Sequence, residues 1–152
     1  MRCLVQRSLK SKVTVNNNTV GQIDRGMVVL VGFTSGDDAS DIDYMVKKII
    51  NLRIFDDENG VMNRSLLDIA GEILVVSQFT LYADASKGRR PSYVKALSSS
   101  EALPLYNLFI NQLRAQDIVV STGEFGADMC VNICNDGPIT IMIESRECND
   151  KK

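Results

Sequence analysis

The 152-residue sequence contains no histidine. That excludes a Ser-His-Asp or Cys-His triad, a histidine-ligated zinc and imidazole acid–base chemistry. No CxxC pair occurs among the four cysteines, Cys3, Cys130, Cys134 and Cys148, so no zinc-binding or redox pair of that spacing is present. Reduced and mostly buried thiols are the expectation, because a free cysteine behaves as a small hydrophobe. Aromatic residues make up only 6%, without an interleaved aromatic and basic stripe of the kind that coats single-stranded nucleic acid. No apolar run approaches the roughly 18 residues of a membrane span. The apolar stretch at Cys3-Leu4-Val5 is far too short for a signal-peptide core, so the expected address is cytoplasmic, with no membrane partner. Repeats, low-complexity segments and linkers are absent as well.

What is present describes one globular domain. Apolar residues make up 45% and charged residues 24%, with a net charge of −2. That is too apolar for disorder, and the charge balance does not suit a protein that coats long nucleic acids. A local basic patch remains able to hold a short terminus. Asp37, Asp38, Asp41 and Asp43 cluster, but as a loop and helix start, where carboxylates complement the helix dipole. No metal set and no cofactor are expected.

Periodicity sets out the elements. Residues 2–7, 12–15 and 19–23 read as short strands, with Asn16-Asn17-Asn18 as a turn. Met27 to Phe33 is an unbroken apolar run, the pattern of a strand buried on both faces. Ile42, Met45, Val46, Ile49 and Ile50 fall on one helical face, with Ser40 as the expected cap and Asp43 at the third helical position. A short strand is expected at 52–55 and a buried one at 73–76. A basic loop over 84–92 carries Lys87, Arg89 and Arg90. A second helix is expected over about 100–115, with Pro104 near its start and Leu105, Phe109 and Leu113 on one face. Alternating strands at 129–134 and 139–143 flank a turn at Asn135-Asp136-Gly137-Pro138. Strands outnumber helices and do not alternate regularly with them. The expected class is therefore α+β, a single domain with mainly antiparallel sheets around a barrel-like core and two principal helices.

Two clusters carry the chemistry. Ser77-Gln78-Phe79-Thr80-Leu81 ends a buried strand, and Asn135-Asp136-Gly137-Pro138-Ile139-Thr140 joins two others. Read alone, each is a strand end or a turn satisfying local backbone groups. Together, SQFTL and NDGPxT resemble the paired signatures of the D-aminoacyl-tRNA deacylases, also described as D-tyrosyl-tRNA deacylases. Val5-Gln6-Arg7, Leu52-Arg53-Ile54-Phe55, Arg90-Pro91-Ser92-Tyr93 and Phe125-Gly126-Ala127-Asp128-Met129 extend the likeness over residues 1–145, leaving 146–152 as a polar tail.

The resemblance implies hydrolysis of the ester joining a D-amino acid to the 3′ end of tRNA, a chiral proofreading reaction, with glycyl-tRNA also cleaved. It assigns catalysis to Ser77, Gln78, Phe79 and Thr80. It assigns substrate binding and chiral selection to Gly137, Pro138, Ile139, Thr140, Met129 and Arg7. It also implies a homodimer in which a cis Gly-Pro element of one subunit enters the active site of the other. Lys87, Arg89 and Arg90 are candidate phosphate contacts. Arg7 would brace the Gly-Pro element, although an arginine on a strand otherwise reads as an exposed charge.

Two mechanisms stay open. Thr80 attacks the ester, although a threonine hydroxyl needs an adjacent base and Ser77 and Gln78 are not basic. Alternatively, backbone N–H groups around Phe79 and Thr80 hold the developing oxyanion while the ribose 2′-hydroxyl assists a water. The rival functions are a small Thr- or Ser-dependent esterase and a non-catalytic RNA-binding module.

Overall fold

The computed structural model describes residues 1–146. The first half of the chain forms β1 (Arg2–Ser8), β2 (Ser11–Val15), β3 (Asn18–Ile23), β4 (Gly26–Gly32), α1 (Ala39–Asn51), β5 (Phe55–Asp56) and β6 (Met62–Arg64). The second half forms β7 (Glu72–Ser77), α2 (Ser99–Arg114), β8 (Val120–Thr122), β9 (Cys130–Asn132) and β10 (Asn135–Glu144). A single 3-10 turn, Phe79–Tyr82, follows β7.

The main sheet has the order β10-β1-β4-β7-β8, and a second sheet has the order β3-β2-β9. Strands β5 and β6 make a separate two-stranded ribbon. β4 explains the unbroken apolar run. Its residues Met27, Val29 and Val31 pack with Ile42, Met45 and Ile49 of α1 and with Phe109 and Leu113 of α2. Its Val28 joins Leu74 and Val76 of β7 against Val13 and Ile23 of the second sheet. Alternating side chains of one strand thus enter two cores, one under the helices and one under the small sheet. Burying a side chain such as Phe109 contributes roughly 1.5–3 kcal/mol.

The α+β class with two helices holds, and the sheet is more mixed than the sequence pattern suggests. β1 is antiparallel to both β4 and β10, but β4 is parallel to β7 and β7 is parallel to β8. The two parallel pairs are joined through α1 and α2, as parallel strands require a long crossover. β8 is short and half-buried, so its alternation was too brief to read. The expected barrel does not close, because the ladders among the described residues form separate sheets.

Several local expectations change. α1 is capped by Asp38, which accepts from the Ser40 N–H, and the third helical position is Asp41, not Asp43. Asp41 returns the contact by accepting from the Asp38 N–H at 3.0 Å, which closes a capping box. Leu52 ends α1, so the strand expected at 52–55 shrinks to Phe55–Asp56. α2 begins at Ser99 and accommodates Pro104 in its second turn, leaving the Ser100 carbonyl without its intrahelical partner. Tyr106 and Ile110 join Phe109 and Leu113 in the core, while Leu105 is half-buried. Of the thiols, Cys3 is buried but Cys130, on β9, and Cys134, just beyond it, are exposed. Cys148 and the tail after Arg146 lie outside the described residues.

Arg146 closes the fold against α1. Its guanidinium and the Ser145 hydroxyl both donate to Asp41, which is only 4% exposed. Burial alone pushes the Asp41 carboxyl up, yet the bonds from Arg146, Ser145 and the Asp38 N–H outweigh it and hold the group at about 2. A carboxyl lowered in the folded state adds stability that is fully present above its ordinary value of 3.8 and is lost as the pH falls toward about 2. Asp41→Asn is expected to remove roughly 2 kcal/mol at neutral pH and to flatten the acid limb of stability in that window. Urea midpoints across a pH series measure both effects.

Candidate active site

Strand β7 delivers Ser77 and Gln78 to the end of the main sheet. The Gln78 N–H makes the last ladder bond, to the Val31 carbonyl at 2.7 Å, and the chain then turns into Phe79–Tyr82. Gly32 makes room for that turn, since a Cβ there would stand 2.8 Å from the Gln78 carbonyl oxygen. In a 3-10 turn the first acceptor reached is three residues back, so the N–H groups of Phe79 and Thr80 have no intrahelical partner. The Gln78 side chain does not cap them. Its amide instead donates to the Thr80 hydroxyl.

These residues border a cleft of about 620 Å³. Ser77, Gln78 and Phe79 form one wall, with Met129 and Phe125 among the facing residues, and Tyr93 also lines it. Thr80 is half-buried and does not line the cleft. Among the lining residues the one carboxylate is Asp128, and no lysine or cysteine is present. Phe125 is held from behind by Tyr106, ring centroids 5.3 Å apart. The Tyr106 hydroxyl donates to the Val75 carbonyl, and burial pushes its pKa up to about 12. Among the described residues no three potential metal ligands lie together.

Gly137, Pro138, Ile139 and Thr140 lie elsewhere, and they do not form the simple turn expected from composition. They belong to β10, which pairs Gln6 with Thr140 and Ser8 with Asn135, so residues 136–139 stand opposite Arg7 alone. The surplus residues project as an elbow with a cis Gly137-Pro138 bond and φ +118° at Gly137, a conformation that favours glycine. Gly137 and Pro138 are exposed.

Side chains frame the elbow. Asn135 donates to the carbonyls of Arg7 and Ile139, both at 2.9 Å, across the base of the loop. Thr140 donates to the Asn135 side-chain oxygen at 3.0 Å, and Gln6 donates to the Thr140 hydroxyl at 3.2 Å. Arg7 is 8% exposed, so it is a buried brace and not a surface charge. Its Nη1 donates to the Ile54 carbonyl at 3.0 Å, and its Nε lies 3.1 Å from Asp136 as an ion pair without a well-aligned hydrogen bond. It thus holds the loop through Asp136 and not through the loop carbonyls.

The elbow and the cleft of one chain stand at opposite ends of the sheet. Arg7 pairs with Met27 at the start of β4, whereas Gly32, at the cleft, pairs with Arg2. Five strand positions separate them, about 16 Å at 3.3 Å each. The structure therefore brings Ser77, Gln78, Phe79 and Met129 together, and separately Arg7, Gly137, Pro138, Ile139 and Thr140.

The basic loop adjoins the cleft. Reciprocal backbone bonds between Asp84 and Ser92, at 2.8 and 2.9 Å, pinch its neck. Lys87, Arg89 and Arg90 are exposed and make no ion pair among the described residues. Sequence reasoning assigned no role to Phe125, Tyr93, Asn135 or Gln6. All four stood in the motifs that carry the family likeness, without individual roles, and the Asn-x4-Thr spacing around Gly-Pro was the available signal for the frame.

Asn135→Ala would strip two carbonyls of their donor and free the base of the elbow. The expected cost is about 2–3 kcal/mol of stability, read from urea unfolding, because unsatisfied carbonyls add to the lost bonds.

Residues 4–144 match the family model described as D-Tyr-tRNA(Tyr) deacylase. The chain is 54% identical over 145 residues to a D-aminoacyl-tRNA deacylase of Clostridioides difficile (strain 630), covering 95% of this chain and 97% of that protein. It is 54% identical over 147 residues to a D-aminoacyl-tRNA deacylase of Clostridium kluyveri, covering 97% and 99%. A solved structure titled c-Myc DNA Unwinding Element Binding Protein superposes with a TM-score of 0.91 at 41% identity, covering 97% of this chain and 100% of that one. Another, of a probable eukaryotic D-amino acid tRNA deacylase, shares the fold with a TM-score of 0.78 at 22% identity, over 94% and 98%. With a full-length family match and relatives of this identity, the chain belongs to the D-aminoacyl-tRNA deacylase family.

Proposed function

We propose that the protein hydrolyses the ester of D-aminoacyl-tRNA in the cytoplasm, with residues 1–145 as the catalytic unit. Water adds to the ester carbonyl, the bond to the ribose oxygen breaks, and that oxygen takes up a proton. The products are the free D-amino acid and tRNA. An aminoacyl ester is already activated, so a site without histidine is adequate for it. Family membership supports this reading. Within the structure, the observation that carries it is the cleft bordered by Ser77, Gln78 and Phe79, beside N–H groups with no intrahelical acceptor.

Those N–H groups are suited to an oxyanion, and one such donor is worth roughly 3–4 kcal/mol. Thr80 is poorly suited to attack. Its neighbour is the Gln78 amide, which donates to the hydroxyl and cannot accept its proton. The reading therefore assigns attack to water, assisted by the ribose 2′-hydroxyl. On this mechanism Thr80→Ala should cost no more than about tenfold in turnover, whereas a nucleophile would cost on the order of 1000-fold.

Selection by handedness is assigned to the elbow. A side-chain pocket that accepts many D side chains is a poor filter, while a fixed main-chain wall can hold the α-amino group and exclude every L side chain. The 16 Å separation along the sheet, about five strand positions, supports an elbow that serves the cleft of a second subunit. The proposed assembly is accordingly a homodimer with two shared sites. Lys87, Arg89 and Arg90 would contact phosphates, so activity should fall with salt. Glycyl-tRNA, which has no side chain to exclude, should be cleaved to some extent.

The decisive assay compares D-tyrosyl- and L-tyrosyl-tRNA. Hydrolysis of the D ester alone is expected, and comparable rates on both would defeat the assignment. Shared sites have a separate signature. Subunit exchange between a variant damaged in the cleft and a Gly137→Val variant should restore about a quarter of wild-type activity, because half of the dimers are mixed and each mixed dimer holds one intact site of two. No restoration would mean that the elbow serves its own chain's cleft, and a Gly137→Val protein that is fully active alone would place the elbow outside catalysis.

A further inference from the structure

The rim of the cleft carries an exposed aromatic pair that the chemistry above does not use. Phe79 is 57% and Tyr93 45% exposed, with ring centroids 5.4 Å apart and planes at 70°. Both residues line the cleft, and the chain continues from Tyr93 to Val94, which is 91% exposed. Large rings left open together at the mouth of a cleft mark a binding surface. The surroundings indicate what binds there. The loop whose neck closes at Ser92, immediately before Tyr93, presents Lys87, Arg89 and Arg90, without ion pairs among the described residues. A polyanion bearing flat bases fits both features, since the rings stack a base and the cations meet the flanking phosphates.

We propose that the Phe79–Tyr93 pair is a stacking platform for the nucleotide immediately before the esterified one, the penultimate nucleotide of the tRNA. This rests on the deacylase reading, in which the esterified nucleotide occupies the cleft itself. The platform stands at the rim, where the strand leaves the cleft toward the basic loop. It gives Phe79 a side-chain role in addition to its backbone role. It also makes the protein a reader of the unpaired 3′ end, because a base inside a duplex stem has no free face to stack.

The test uses two minimal substrates, the D-tyrosyl ester of adenosine and the D-tyrosyl ester of the trinucleotide CCA. For the wild-type protein, kcat/KM for the trinucleotide ester should exceed that for the adenosine ester by about 10- to 100-fold, the usual worth of one stacked base. Tyr93→Leu, which keeps bulk without a π face, should remove most of that ratio, mainly through KM. Tyr93→Phe should retain it. An equal ratio in wild type and Tyr93→Leu would overturn the proposal. So would a Tyr93→Leu protein that becomes monomeric in sedimentation, which would assign the pair to a subunit contact. Absence of hydrolysis of either ester by the wild type would instead count against the deacylase reading itself.

Discussion

The ladder through β1, β4 and β7 is the constraint on which the rest of the molecule depends. β4 lies between β1 and β7 and sends alternate side chains into two separate cores, so its position admits little adjustment. Its last residues hold the end of β7 through the Gln78 N–H bond to Val31, and this places the turn at Phe79–Tyr82. β1, on the other side, carries Arg7 at the far end and supports the elbow of β10. Because β1 runs antiparallel to β4, rigidity of one sheet keeps cleft and elbow apart within a chain.

That separation gives the two features different kinds of support. The cleft wall is held by main-chain bonds and by close packing, with Gly32 allowing the backbone to pass and Tyr106 backing Phe125. The elbow projects into solvent and has no sheet partner over residues 136–139, so side chains hold it. Asn135, Thr140, Gln6 and Arg7 together tie its base, and an Arg7 that is nearly buried gives up solvent to do so. The main-chain wall proposed to discriminate handedness must not relax, and this frame would supply the stiffness. Among the described residues the basic loop is tied at its pinched neck and by the Asp84 side chain, which accepts from the Ser86 N–H.

Most elements were legible because their patterns are local. The helical spacing of Ile42, Met45, Val46, Ile49 and Ile50, and the unbroken apolar run of β4, describe burial directly. The cap of α1 was misplaced by two residues because Asp38, Ser40, Asp41 and Asp43 all have capping chemistry, and only the actual path of the chain selects among them. The parallel pairs were missed because the β5–β6 ribbon and the long basic loop interrupt the alternation of strand and helix, and because β8 is only three residues long. Arg7 read equally well as a surface charge, since burial of an arginine depends on partners such as Ile54 and Asp136 that are far away in sequence.

By itself the sequence determined the class, the two buried strands, the absence of imidazole chemistry and the two motifs that resemble a deacylase, since each follows from residue type and short-range spacing. Tertiary structure decided which of those motifs share a site. Ser77–Phe79 and Met129 meet because two sheets fold face to face, and Gly137-Pro138 stands away from them because strand direction, a long-range property, carries it to the other end of the sheet.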